Sequence, residues 1–139
     1  MQNAKRKTHI CKTTVDSLKV TIMENGTVEK KSFDFSVRVV NLYRFLTEEK
    51  KEFVLSKQIL RSGTSVGANV SEGERAQSKA DFYAKMSIAL KEANETYYWL
   101  RLLKATDYIS NSQYMSLDAD IKELIALLTS ICKTTQNNL

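Results

Sequence analysis

The amino-acid sequence predicts an all-α protein folded as an antiparallel, up-down four-helix bundle, and three observations support this. The 139-residue chain contains no proline, the residue that most strongly interrupts a helix. From Phe33 onward, apolar residues recur every three or four positions, which is the period of an amphipathic helix. Four such runs are joined by short polar segments, and short connections favour antiparallel packing of consecutive helices.

The first helix is predicted over residues 33–48, where the apolar side chains are spaced by four, three and four positions. These side chains are Phe35, Val39, Leu42 and Leu46. The charged segment at 47–52 predicts a turn. A second helical stretch follows it, with the apolar positions Phe53, Ile59, Leu60, Val66 and Val70.

The third helix is predicted to begin after Ser78, an N-cap that Asp81 answers three residues later in the pattern of a capping box. Its inward positions alternate steps of four and three and are Phe82, Met86, Ala89, Ala93, Thr96, Leu100 and Leu103. Segment 107–113 interrupts this pattern. The fourth helix is then predicted from the spacing of Leu117, Ile121, Leu124, Leu128 and Ile131.

The third and fourth helices carry apolar residues outside these stripes. They are Tyr83, Leu90, Tyr97, Trp99 and Tyr108 on the third, and Ile125, Leu127 and Cys132 on the fourth. One apolar stripe suffices for an isolated bundle, so the additional flanks predict self-association. The alternative is an ordinary monomer, since monomers also expose many apolar atoms.

Residues 1–31 differ from the rest of the chain in charge. They hold seven basic and three acidic residues, whereas residues 32–139 hold 14 basic and 13 acidic residues. The overall net charge of +5 is therefore concentrated in the N-terminal segment. We interpret 1–31 as a weakly ordered basic tail or a short hairpin around Asn25-Gly26, or as an extension upstream of a start at Met23. Residues 32–139 form the predicted bundle.

The sequence argues against most catalytic chemistry. Its one histidine, His9, lies in the N-terminal segment, so no histidine-dependent triad and no diiron site can be built within the bundle. Two cysteines, Cys11 and Cys132, indicate no disulfide framework and favour the cytoplasm. Neither a secretory signal nor a membrane-spanning stretch is evident. We predict no enzyme activity, no metal and no cofactor.

A carboxylate–metal site remains as a minor hypothesis. It would use Glu72, Glu92 and Glu95, of which the last two are spaced i, i+3 on one side of the third helix. The alternative is that these carboxylates are solvated or paired with basic residues. Lys91 and Arg75 lie close to them in the sequence.

The segment at 61–73, RSGTSVGANVSEG, holds three of the chain's four glycines. Its spacing matches neither a P-loop nor a dinucleotide fingerprint, because no lysine follows a glycine and no strand precedes the segment. Gly63 and Gly67 instead predict a small-residue surface that another helix approaches closely. Asn69 is the amide side chain within it, and if buried it would help to set the register between helices.

Four basic residues are candidates for contact with a polyanion. Lys57 and Arg61 lie one turn apart on the second helix, and Arg101 and Lys104 lie on the third between Tyr97 and Tyr108. Alternating basic and aromatic side chains suit phosphate contact combined with base stacking. The alternative is that these long side chains cover apolar flanks while their charges stay in water.

Segment 60–103 resembles the central signature of the four-helix-bundle proteins encoded in 23S rRNA intervening sequences, a family also labelled ribosomal-protein-like. The matching residues are Arg61, Ser65, Val66, Asn69, Ser71, Glu72, Gly73, Ser78, Phe82, Ile88, Ala89, Leu90 and Glu95. With the flanking helices, the likeness extends over about residues 33–134. Family members often have proline at the position of Gly67, so a kink there is expected to be softer or absent in this chain.

The resemblance implies an antiparallel four-helix bundle that assembles as a homopentamer. It also implies kinship with the accessory variability determinant of diversity-generating retroelements, a basic pentamer that binds nucleic acid and a reverse transcriptase. This chain's bundle is nearly neutral, which makes its surface less suited to nucleic acid than that of a basic relative.

From these observations we expect a non-enzymatic oligomer that binds RNA or DNA through Lys57, Arg61, Arg101 and Lys104. The alternative is a protein–protein scaffold or accessory subunit, for example of a reverse transcriptase, in which apolar flanks and Trp99 dock the partner.

Overall fold

The computed structural model describes residues 28–139, and residues 1–27 lie outside it. Four α-helices occupy this part of the chain: α1 (Val28–Glu48), α2 (Leu55–Glu74), α3 (Lys79–Ala105) and α4 (Asn111–Asn137). The described residues form no strand. The predicted all-α bundle is therefore confirmed, while the hairpin around Asn25-Gly26 and most of the N-terminal segment lie outside the described residues.

The first helix begins at Val28, five residues earlier than its apolar pattern predicts. Val28 and Ser32 are almost fully buried, and they extend the inward positions of Phe35 and Val39 back by two turns. Ser32 satisfies its hydroxyl locally by donating to the Glu29 carbonyl at 2.9 Å. Because serine occupies the inward position 32, the apolar pattern of the sequence does not extend to the start of α1.

The helices pack in chain order, with α3 against both α2 and α4, and α1 mainly against α2. Contacts between α1 and α4 are fewer and include polar ones. There Arg38 binds the Asp120 carboxylate and donates to the Ser116 hydroxyl at 2.7 Å. The largest fully buried side chains include Phe35, Leu46, Ile59, Met86, Leu100, Leu103, Ile121, Leu124 and Leu128.

The glycine-rich segment is helical throughout, and α2 continues through Gly67 without a break. A Cβ placed on Gly63 would lie 2.7 and 2.9 Å from the two methyl carbons of Val39, and one on Gly67 would lie 3.2 Å from the Ser32 carbonyl oxygen. Both glycines therefore let α1 approach α2. At the other end of the segment, Gly73 leaves room for the Met86 side chain of α3. The predicted small-residue packing surface is confirmed.

The apolar flanks of α3 and α4 pack largely within the monomer. Tyr83, Leu90, Tyr97, Trp99, Tyr108 and Ile125 are partly buried against the core, and Cys132 belongs to it. Burial raises the pKa of the Cys132 thiol. Large apolar side chains are exposed at Phe33 and Val37 of α1, at Phe53 and Val54 of the following loop, and also at Ile88 and Tyr98 of α3 and Met115 of α4. Among the described residues, no helix is long and apolar enough to cross a bilayer.

Candidate nucleic-acid interface

The four basic candidates are not brought together on one surface. Arg61 reaches from α2 to carboxylates of α3, whereas Arg101 and Lys104 lie against tyrosines on the side of α3 that faces α4. Positions 95 and 97, which mark these two sides, differ by about 200° around the helix axis. The predicted set therefore divides into an α2 pair and an α3 pair.

The charge of Arg61 is already compensated within the bundle. Its guanidinium donates to Glu92 Oε2 at 3.2 Å and to Glu95 Oε1. The hydrogen bond that Arg61 donates to Glu95 raises the pKa of Arg61, and the same bond lowers the pKa of Glu95 despite its partial burial. Trp99 adds a second donor to Glu95 Oε1 at 3.2 Å. Arg61 thus ties α2 to α3 and is poorly placed to neutralise a phosphate.

The carboxylates of the metal hypothesis bind cationic side chains instead. Glu92 and Glu95 share Arg61, and Glu72 accepts from Lys85 at 2.8 Å. These partners differ from Lys91 and Arg75, which the sequence suggested. Within residues 28–139, no group of three or more His, Cys, Asp or Glu side chains is placed to hold a metal ion.

Arg101 and Lys104 are exposed and rest on aromatic rings. The Arg101 Cζ lies 5.5 Å from the centroid of Tyr97, and the Lys104 Nζ lies 4.4 Å from the centroid of Tyr114. Such cation–π contacts orient a basic group while leaving its charge available. Neither residue forms an ion pair with any carboxylate in the described part of the chain.

The aromatic rings of the predicted stripe are less accessible than its cations. Tyr97 and Tyr108 are half-buried against the core, and Lys122 of α4 also lies 5.7 Å from the Tyr97 centroid. Lys122 is itself paired with Asp118 at 2.9 Å. Burial, with the nearby Asp118 carboxylate, raises the pKa of Tyr114. These rings position cations and are not open for stacking.

Sequence reasoning identified Arg101 and Lys104 but missed the other members of the surface to which they belong. We define this surface, the outer face of α3, as Lys91, Asn94, Tyr98, Arg101 and Lys104. All five side chains are exposed. The nearby acidic residues Glu92 and Glu95 turn toward Arg61, so the outer face has no carboxylate. Lys91 and Tyr98 lie on the side opposite Ala93 and Leu100, and the two steps of three residues to Arg101 and Lys104 carry the surface around the helix by about 60° each, toward α4. The spacing of three or four residues between its members is the signal that identifies it.

Lys57 is exposed on α2 and forms no ion pair with another described residue. It lies one turn before Arg61, which contacts Glu95. Because α2 and α3 run antiparallel, Lys57 lies about level with Trp99, one turn after Glu95. The α2 pair therefore contributes one uncompensated charge beside α3.

The signature residues of the glycine-rich segment have structural roles. Asn69 donates to the Ser65 carbonyl at 2.8 Å within α2, so this bond does not set the register between helices. That register is held by a buried hydrogen bond from the Thr96 hydroxyl to the Ser62 hydroxyl at 2.9 Å. Ser78 caps α3 by accepting from the Asp81 N–H at 3.0 Å, which confirms the predicted N-cap. The reciprocal bond of a capping box is formed at the start of α4, between Ser110 and Gln113, and not by the Asp81 side chain.

Comparison with known proteins agrees with this architecture. Residues 24–130 match the family described as 23S rRNA-intervening sequence protein. A crystal structure at 1.70 Å of a protein of unknown function from the S23 ribosomal protein family of Bacteroides thetaiotaomicron VPI-5482 is 62% identical. The alignment covers 76% of this chain and 95% of that chain, with a TM-score of 0.75. Comparison with curated proteins gave no match. The chain belongs to the 23S rRNA-intervening sequence protein family.

Proposed function

We propose that this protein is a cytoplasmic, non-enzymatic homo-oligomer that binds RNA or DNA through the outer face of α3. The observation that carries the proposal is the presence of three exposed cations, Lys91, Arg101 and Lys104, on a face without a carboxylate. Membership of a family described by an intervening sequence of 23S rRNA is consistent with an RNA ligand.

The mechanism would be neutralisation of phosphates by a local patch. The bundle is almost neutral as a whole, so long-range attraction is weak and the arrangement of charges decides binding. Arg101 and Lys104 are held by tyrosine rings, which reduces the freedom that these side chains lose when a phosphate binds. Arg61 is excluded from this role by its two carboxylate partners. Lys57 is a peripheral contributor.

The double variant Arg101→Gln/Lys104→Gln tests this mechanism. We expect weaker binding to a labelled RNA or DNA in fluorescence anisotropy, without loss of helicity, because both side chains are exposed. If both residues contact phosphates, the slope of log K against log salt should fall by about 1.4–1.8 in magnitude.

The matched control is Lys133→Gln, which removes an exposed lysine from α4 at the level of Ser87, about 20–25 Å along the bundle from Arg101 and Lys104. It should leave the salt slope unchanged. Equal slopes for the wild type and the double variant would contradict the proposal. That result would favour the alternative of a protein–protein scaffold or accessory subunit, for which the exposed loop residues Phe53 and Val54 are the best docking candidates.

Self-association is supported by the outer surface of α1. Phe33 and Val37 lie one turn apart there, with 67% and 47% of their surface exposed. We propose that this surface is covered in a homopentamer, the assembly that the family resemblance implies. Native mass spectrometry should then show about five times the 15.8 kDa mass of one chain, and Phe33→Lys should shift the protein toward monomer. A wild-type protein that is monomeric at micromolar concentration would contradict this.

A further inference from the structure

Tyr98 stands apart from the other tyrosines of the chain. All six tyrosines lie in the described residues, and Tyr98 is the one with a largely open side chain, 53% of its surface being accessible. The others are half-buried. A tyrosine combines an apolar ring with a polar hydroxyl, which suits it to an interface that is partly apolar and partly wet.

The surroundings of Tyr98 are cationic and polar. On α3, Asn94 precedes it by four residues, Arg101 follows it by three, and Lys91 lies two turns before it on the same side. The carboxylates nearest in sequence, Glu92 and Glu95, are engaged by Arg61 on the flank toward α2. Tyr98 is therefore an exposed ring between uncompensated positive charges.

The ring of Tyr98 is also supported from one side. It makes an edge contact with Trp99, with ring centroids 5.1 Å apart and an interplanar angle of 74°. The Trp99 indole N–H donates to Glu95, which is held in turn by Arg61. This chain of contacts restricts the tyrosine side chain, so less conformational entropy is lost when a ligand stacks on it.

We propose that Tyr98 is a stacking platform for an unpaired nucleobase and that the outer face of α3 consequently prefers single-stranded RNA or DNA over duplex. This inference rests on the proposed nucleic-acid binding and specifies its substrate class. The bases of a duplex are stacked on one another and offer no free face to a side chain on a convex helix. A single strand offers both an unstacked base for Tyr98 and flanking phosphates for Lys91 and Arg101.

The experiment compares the wild type with Tyr98→Ala and Tyr98→Phe on three labelled probes: a single strand of about 12 nucleotides, an abasic strand of that length, and the duplex. The matched control is Met115→Ala, which trims a similarly exposed side chain on α4. Circular dichroism and thermal melting confirm that each variant is folded. Tyr98→Phe keeps the ring and separates stacking from any effect of the hydroxyl.

We expect Tyr98→Ala to weaken binding of the single strand by about 5- to 150-fold, while Tyr98→Phe stays near the wild type. The abasic strand should bind the wild type and Tyr98→Ala equally. Trp99 is the one tryptophan of the chain, so a base stacked on its neighbour should also change the tryptophan emission, and the abasic strand should not.

Two outcomes overturn the inference while leaving the proposed function intact. One is salt-dependent binding of the single strand that Tyr98→Ala does not weaken. The other is an abasic strand that binds the wild type as tightly as the strand with bases. If the wild type binds none of the three probes, the proposed function fails as well.

Discussion

Gly63→Ala should destabilise the bundle by about 1–3 kcal/mol, although the same change at an open helix position stabilises by about 1 kcal/mol. The added Cβ would lie 2.7 and 2.9 Å from the methyl carbons of Val39. Val39 is 1% exposed and β-branched, so its side chain cannot change rotamer to avoid the added Cβ. Helix α1 must therefore move away from α2, and core contacts are lost along it. Chemical denaturation measures the change in the free energy of unfolding.

A double-mutant cycle of Gly63→Ala and Val39→Ala tests whether the contact with Val39 causes this loss of stability. In the Val39→Ala background the clash is removed, so Gly63→Ala should become neutral or stabilising and the two changes should be strongly coupled. Ala68→Gly, at an exposed position of the same helix, measures the local helix propensity and should cost about 1 kcal/mol. Additive effects of Gly63→Ala and Val39→Ala would show that close helix approach does not explain the glycine.

This example shows how far the sequence specifies the packing. The spacing of Gly63 and Gly67, without a lysine or a preceding strand, is enough to predict a small-residue surface and to exclude a phosphate loop. It does not identify Val39 and Ser32 as the partners, because the helix that approaches is chosen by the tertiary arrangement. The glycine spacing predicts that another helix packs closely against α2, and only the folded structure shows that this helix is α1.

The candidate site was harder to predict than the fold. Arg61 resembles a free cation in the sequence, but its carboxylate partners are 31 and 34 residues away and meet it only after α2 and α3 pack. Tyr97 and Tyr98 illustrate a second difficulty. Adjacent helix positions differ by about 100°, so a stripe drawn through Tyr97 follows a half-buried flank and misses the exposed ring beside it. Which of two adjacent tyrosines is open to a ligand depends on how deeply each is buried in the folded bundle.

The start of α2 is another feature that the sequence patterns do not reveal, because it is capped by a buried glutamate outside any known capping pattern. Glu52 lies in the loop after α1 and is 8% exposed. Its Oε1 accepts from the Val54 and Leu55 N–H groups at 2.9 Å each, and its Oε2 accepts from the Ser56 N–H at 2.6 Å. One carboxylate thus satisfies three backbone donors that the first turn of a helix leaves without partners.

Glu52→Ala should therefore destabilise the protein by about 1–2 kcal/mol, the usual cost of removing a helix cap. Glu52→Gln should cost less, since one oxygen still accepts. Glu49→Ala, an exposed change in the same loop, should stay within about 0.5 kcal/mol of the wild type. A loss for Glu52→Ala no larger than that for Glu49→Ala would contradict a capping role.

The pH dependence gives an independent test of the charge on Glu52. Burial by itself raises the pKa of this carboxyl, but the backbone N–H groups of Leu55, Ser56 and Val54 outweigh burial, and the net pKa lies below its ordinary value of 4.5. A group whose pKa is lowered by folding stabilises the protein fully above its unfolded pKa, and this stabilisation is lost as pH falls through the folded pKa.

The stability difference between wild type and Glu52→Gln should accordingly be largest near neutral pH and should shrink below about pH 4.5. Because Glu95 also has a lowered pKa and is present in both proteins, the difference isolates Glu52. A difference that stays constant down to about pH 3 would show that the carboxylate charge does not stabilise the start of α2.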